Sequence, residues 1–261
     1  MQNILEQLKK GKISVKAAEK KLREHFLDVY GIARLDLHRE HRTGIPEVVI
    51  ALDKTDQHLI NITIQILEHA GRVIITRLTN ERNIALRKLL GKRKLLKKCN
   101  IKYYSEPQVC IIHDKKFKII ATNGTIGIMT AGTSDIPIAE EARLIAEELG
   151  CKTITAYDVG VSGAHRLVEP LKKMIQNDVD VLIVMAGREG ALPTLVAGIV
   201  DIPVIGVPIS TGYGIEGKGK TALYAMLQSC SPLVVVNIDA GFVAGAVAAR
   251  IAARALQKRK K

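Results

Sequence analysis

The chain has 261 residues, 47% of them hydrophobic but only 3% aromatic and none tryptophan, so it can bury a sizeable core and that core is aliphatic. No apolar run of about 18 residues occurs, which excludes an ordinary membrane-spanning helix, and the amino-terminal MQNILEQLKKGK is amphipathic, so a cytosolic location is expected. The formal net charge of +13 is uneven: residues 1–120 hold 25 Lys+Arg against 13 Asp+Glu, and residues 121–261 hold 14 against 13.

That shift near residue 120 predicts a basic N-terminal α/β domain over 1–120 and a second domain over 121–261. In chain order, SVKAAEKKLREHFLDV (14–29) has helical spacing. EVVIAL (47–52) and GRVIITRL (71–78) read as strands, NITIQILEHA (61–70) and NERNIALRKLL (80–90) as helices, and GKRKLLKKCNIKYY (91–104) as a basic stretch entering a short strand. Beyond residue 120 the alternation becomes regular. TIGIMTA, TITAYDV, VDVLIVMA, PVIGVP and PLVVVNI are each followed by a helical segment, which predicts an α/β fold with a parallel sheet and helices on both faces.

In such a sheet the ligand crevice lies beyond the carboxyl ends of the strands. The loops to inspect are therefore AGTSDIP (131–137), DVGVSGAHR (158–166), AGREGALP (186–193), PISTGYGIEGKGK (208–220) and NIDAGF (237–242). Gly132, Ser134 and the following helix start offer donors to an anion, and Asp135 is either a helix cap, with Pro137 in the first turn, or a ribose ligand. Asp158, His165 and Arg166 share the second loop; Arg166 facing a crevice suits phosphate or carboxylate. Glu189, between Gly187 and Gly190 on a backbone able to approach a ligand closely, is either a solvated loop residue or a general acid/base. Tyr213 belongs to the fourth loop.

GIEGKGKT (214–221) matches the pattern of a phosphate-binding loop, and Asp239 imitates its acidic partner strand. Pro208, Ile209, Ser210 and Thr211 intervene between strand and motif and only 40 residues follow Thr221, which argues against nucleotide hydrolysis by this route. The four cysteines, Cys99, Cys110, Cys151 and Cys230, show neither CxxC nor zinc-site spacing, so they are expected to be reduced thiols.

Taken together, the motifs AGTSDIPIAEEA, GAHR and AGREGALPTLVAGIVDIPVIGVP resemble the aminoimidazole ribonucleotide carboxylase fold of the PurE superfamily, over roughly residues 123–257. The third loop departs from the purine enzyme, with Glu189, Gly190 and Ala191 in place of Ala, Ala and His. The closer resemblance is to the LarB family, whose segment ARLDLHRxxRTGxPEVV, loops A-G-M-E-G-A-L-P and P-T-S-V-G-Y-G, and L-N-S-C before V-V-N-I-D-N-G-F appear here as ARLDLHREHRTGIPEVVIA (33–51), AGREGALP, PISTGYG, LQSC and VVVNIDAGF.

That resemblance implies a pyridinium-3,5-biscarboxylic acid mononucleotide synthase, acting in nickel-pincer nucleotide synthesis. Such an enzyme carboxylates the ring of nicotinic acid adenine dinucleotide with CO2 or bicarbonate and cleaves its phosphoanhydride to release AMP. It implies Cys230 as the nucleophile that adds to the ring, at the crevice side of the last strand–helix unit, and Glu189 as the group that takes the thiol proton or moves the ring proton. It implies substrate contacts from Gly132, Ser134, Asp135, Asp158, His165, Arg166, Gly187, Gly190 and Tyr213, and Mg²⁺ for the hydrolytic step with ligands the motifs do not identify. A homo-octamer is implied as well. Arg39, His41 and Arg42 are motif residues without a derivable role, expected to reach the adenylate half, and Lys218 and Lys220 are expected to face solvent. The rivals are a purine-pathway carboxylase or mutase, and a basic nucleic-acid binder, which the scarcity of aromatics disfavours.

Overall fold

The computed structural model describes residues 2–18, 26–29, 31, 33–36, 39–211 and 217–259. They form two compact units, one of Met1–Tyr103 with Val109–Phe117 and one of Tyr104–Gln108 with Lys118–Lys261.

The first unit begins with helix α1 (Gln2–Lys9) and an antiparallel pair, β1 (Phe26–Val29) and β2 (Ala33–Asp36). The helical spacing over 14–29 is therefore overturned at its end, while residues 19–25 lie outside the described residues. The physical reason is the turn that follows: Gly31 adopts a left-handed φ of 71° and donates its N–H to Asp28 Oδ1 at 2.7 Å, reversing the chain so that Val29 and Leu35 enter the core. After α2 (Arg39–Thr43) come β3 (Val48–Ile50), α3 (Asp56–Ala70), β4 (Arg72–Thr76), α4 (Asn80–Lys92), β5 (Cys99–Tyr104) and β6 (Val109–Asp114). The sheet order is β3-β4-β6-β5; β3 and β4 run parallel, and β4 and β6 antiparallel. Thr55 and Thr79 cap α3 and α4 by accepting the N–H of His58 and Arg82, which fixes where each helix starts.

The second unit is the expected α/β layer structure. Strands β7 (Thr125–Thr130), β8 (Lys152–Ala156), β9 (Val181–Ala186), β10 (Val204–Pro208) and β11 (Val234–Val235) are all parallel in the order β8-β7-β9-β10-β11. Between them run α5 (Ile136–Glu148), α6 (His165–Gln176), α7 (Ala191–Ala197) and α8 (Lys220–Leu227), and α9 (Gly241–Arg259) closes the unit. Every residue of β9 is buried, and its alternation splits two cores. Val181, Ile183 and Met185 pack with alanines of α5 and α9, whereas Leu182, Val184 and Ala186 pack with Leu171, Met174, Val196 and Met226 of α6, α7 and α8.

The strand order places the functional crevice. The chain winds outward from β7 to β8, returns to β9 on the other side, and then continues to β11. The loops leaving β7 and β9 thus diverge to opposite faces at the carboxyl edge, the switch point at which open parallel sheets bind ligands.

Candidate active site

A cavity of about 150 Å³ lies at that switch point. It is walled by Gly132, Ser134 and Asp135 from the loop after β7, by Gly160 and Ser162 after β8, by Gly187, Arg188 and Glu189 after β9, and by Thr211 after β10.

The walls are held together by close backbone approach. The Ala131 N–H donates to the Met185 carbonyl at 2.9 Å, and the Val159 N–H to the Thr130 carbonyl at 2.9 Å, carrying strand pairing into the loops. Gly160 is required because a side chain there would stand 2.6 Å from the Ala131 carbonyl oxygen. After β9 the Gly190 N–H donates to the Gly187 carbonyl at 2.8 Å, closing a tight turn with Arg188 at φ 42° and Gly190 at φ 64°. The turn presents Arg188 and Glu189, both exposed, at its tip.

Asp135 combines both roles left open by the sequence. Its Oδ2 accepts the Gly132 N–H at 2.9 Å, fixing the turn before α5, yet its carboxyl also lines the cavity. It is 3% exposed, and burial pushes it up to about 6, with Asp158 and Asp239 adding to the rise and the Gly132 and Ala131 amides opposing it. A carboxyl titrating there can hold or release a proton near neutral pH.

Other expected site residues lie elsewhere. Asp158, at a left-handed φ of 57°, pairs with Arg166 at 2.6 Å, and neither residue nor His165 lines the cavity. Arg166 is thus engaged in an ion pair within its own loop. Gly190 is buried behind the turn, and Tyr213 lies outside the described residues.

Cys230 is exposed and does not line the cavity. It follows the end of α8 and precedes β11, beside Ser231, whose hydroxyl lies 3.2 Å from where a side chain on Gly198 would begin, at the far end of α7. That is the amino edge of the sheet, about 15–20 Å from Glu189 at roughly 3.3 Å per strand residue. The placement of the thiol at the crevice side is therefore corrected within a single chain, because residues preceding a parallel strand stand at the edge opposite the crevice.

Several cavity residues were not singled out from the sequence: Gly160, Ser162, Arg188 and Thr211. The available signal was the GVSG sequence in the second loop and an arginine where the resembled motif has methionine. Asp239 receives the Ser210 N–H on Oδ1 at 2.8 Å and donates its own N–H to the Pro208 carbonyl, so it braces the loop after β10. Of the phosphate-loop pattern, residues 214–216 lie outside the described residues; Lys218 and Lys220 are exposed. In the first unit Arg42 pairs with Asp36, Arg39 with Glu47 at 3.5 Å, and Glu40 with the buried Arg72 at 2.8 Å, so the arginines of that motif brace α2 against the strands flanking it.

Among the described residues no group of three or more His, Cys, Asp or Glu side chains converges to hold a metal ion. No described helix is long and apolar enough to cross a membrane.

The family model for AIR carboxylase matches residues 125–261, and that for the LarB/PurE-like N-terminal domain matches residues 26–115. An uncharacterised protein of Methanocaldococcus jannaschii is 43% identical over 256 residues, covering 97% of this chain and 96% of that protein. The N5-carboxyaminoimidazole ribonucleotide mutases of Pyrococcus horikoshii and Thermotoga maritima are 32% and 33% identical, covering 48% of this chain and 71% and 73% of theirs. With a cavity built by the same loops that carry these matches, the chain belongs to the AIR carboxylase family, in the LarB branch that adds the LarB/PurE-like N-terminal domain.

Proposed function

We propose that the protein carboxylates the pyridinium ring of nicotinic acid adenine dinucleotide and hydrolyses its phosphoanhydride, giving pyridinium-3,5-biscarboxylic acid mononucleotide and AMP for nickel-pincer nucleotide synthesis in the cytosol. The observation that carries this reading is the third loop: the cavity receives the Glu189 carboxylate where the purine enzymes' motif has an apolar residue, and it lacks their neighbouring imidazole.

A pyridinium ring is too electron-poor to attack CO2. Addition of a thiolate forms a carbon–sulfur bond and pushes the ring electrons into an enamine, whose carbon can then bond to CO2. Loss of the ring proton to Glu189 and expulsion of the thiolate restore aromaticity, with no net oxidation. Ser134, Ser162 and the loop amides suit the ribose and phosphate, and Asp135 suits a ribose hydroxyl. The thiolate is assigned to Cys230, delivered by a second copy of the chain, since its own cavity is a strand length away. Ile199, Leu227 and Val234, all exposed near this thiol, support an assembly that covers it. An octamer is the proposed state. Mg²⁺ enters the proposal as a companion of the substrate's diphosphate.

The test is incubation of the protein with the dinucleotide, bicarbonate and Mg²⁺, read by mass spectrometry. AMP and a dicarboxylated mononucleotide are expected, and both should vanish in Cys230→Ala. Full activity in that variant, or turnover of carboxyaminoimidazole ribonucleotide instead, would overturn the reading in favour of the mutase chemistry for which the Pyrococcus and Thermotoga relatives are named.

A further inference from the structure

We infer that the surface built by the end of α4, the turn after it and β5 is a docking surface for an acidic, leucine-bearing polypeptide segment of a partner protein.

Residues 88–102 and 114–116 hold nine Lys and Arg, all exposed, and a single acid, Asp114, whereas the other residues of the chain hold 30 Lys+Arg against 25 Asp+Glu. These eighteen residues thus carry +8 of the net +13. Folding gathers them into one face. The Lys115 N–H donates to the Lys98 carbonyl at 3.0 Å, and the half-buried Arg87 reaches from α4 to the Ile101 carbonyl of β5 at 3.4 Å. Among the described residues none of the nine cations forms an ion pair, and Asp114 Oδ1 accepts the Lys116 N–H at 2.8 Å. An ordinary soluble surface intersperses both signs. A face that sets nine like charges side by side is raised in energy by their repulsion, and a ligand with repeated negative charge relieves it.

Apolar side chains within this face select the kind of polyanion. Ile84 and Leu96 are 60% and 41% exposed. Ile84 and Gly91 stand two helical turns apart on one side of α4, and Leu96 Cδ1 lies 3.1 Å from where a side chain on Gly91 would begin. The two apolar groups are therefore about 10 Å apart at roughly 1.5 Å per helical residue, with Lys88 between them. Lys94, at a left-handed φ of 58°, turns the chain back so that Leu96 takes that seat. Acid-rich chains repel themselves into extended forms, in which about three residues make a turn and every third side chain returns to the same side about 9 Å further on. Leucines at that interval match the spacing of Ile84 and Leu96, while the acids between them meet the lysines. The phosphates of a nucleic acid offer nothing to two aliphatic groups, and residues 88–102 contain no aromatic ring on which its bases could stack.

The test is fluorescence anisotropy of the labelled peptides EELEELEE, QQLQQLQQ and EESEESEE with the full-length protein. In dilute salt the first should bind more tightly than the second by about tenfold or more, an advantage that shrinks as salt rises. It should exceed the third by about fivefold, since serines bury no apolar area against Ile84 and Leu96. Replacing Lys94, Lys97 and Lys98 together by Gln should weaken EELEELEE by about tenfold or more. Lys9→Gln with Lys10→Gln, exposed cations at the end of α1, should leave it within about twofold. Leu96→Ser keeps every charge and should bring EELEELEE and EESEESEE to within about twofold of each other. Equal binding of the glutamate and glutamine peptides, an undiminished affinity in the triple variant, an equal loss in the Lys9 and Lys10 variant, or a leucine preference that survives Leu96→Ser overturns the inference. Tighter binding of a short duplex DNA, or of phosphatidylserine vesicles, overturns it too and gives the surface to that polyanion.

Discussion

Replacing Asp135 by Asn should stabilise the protein at neutral pH and do so less and less as the solution is acidified. The carboxyl is buried, and its titration is moved from an ordinary 3.8 to about 6 in the folded chain, so the native state holds the proton more tightly than the unfolded state does. Such a group favours folding fully below about pH 4, loses that contribution as pH rises through 6, and is at its most costly above. A displacement of about two pH units corresponds to about 3 kcal/mol. Asn keeps an oxygen for the Gly132 N–H but accepts it about 1 kcal/mol more weakly than a carboxylate does, leaving a net gain of about 2 kcal/mol at pH 7.5. Melting curves of both proteins from pH 4 to 8 would show the variant higher by about 4–8 °C at pH 7.5, converging on the wild type near pH 4. A variant that is less stable at pH 7.5, or a gap that does not change with pH, would refute the reasoning, because either result means the carboxylate is satisfied as an ion by its amide donors.

Further outcomes follow from other parts of the molecule. Glu189→Gln should lower the rate of dicarboxylated product formation by 10²–10⁴-fold, roughly the range for a lost proton-transfer group, while substrate affinity measured by calorimetry stays within about threefold. Gly160→Ala should cost about 1–3 kcal/mol in chemical denaturation, since its new methyl meets the Ala131 carbonyl, a backbone group that cannot swing away. Glu40→Ala should destabilise by about 1–2 kcal/mol, by removing the acid that faces the buried guanidinium of Arg72, with Glu40→Gln recovering part of the loss. Filter binding to duplex DNA should be weak and lost on raising salt, as expected if the basic excess of residues 1–120 serves an anion other than nucleic acid; retention at high salt would point to a nucleic-acid partner.

The regular alternation after residue 120 made the parallel sheet legible, because strands such as VDVLIVMA are buried on both faces and carry no competing helical spacing. Knowing that ligands sit beyond the carboxyl ends then led to Gly132, Ser134, Asp135, Gly187 and Glu189, all of which line the cavity. What escaped depends on contacts between loops. That Asp158 turns back on Arg166 requires its left-handed backbone, which an Asp-Val-Gly sequence permits without specifying. Phe26–Val29 has apolar residues compatible with either period, and the turn at Gly31 decided for a strand. Cys230 precedes its strand, so topology alone sets it at the amino edge, which a match to LQSC by itself does not reveal.

Gly190 has a consequence for re-engineering the cavity. Ala222 of α8 occupies the space where a side chain on Gly190 would begin, so the helix nests against the turn more closely than an alanine-bearing loop permits. Grafting the purine enzymes' Ala-Ala-His onto positions 189–191 therefore cannot be a local exchange. It would lift α8 off the loop, and with it the segment that ends in Cys230, so loop and helix would have to be transplanted together.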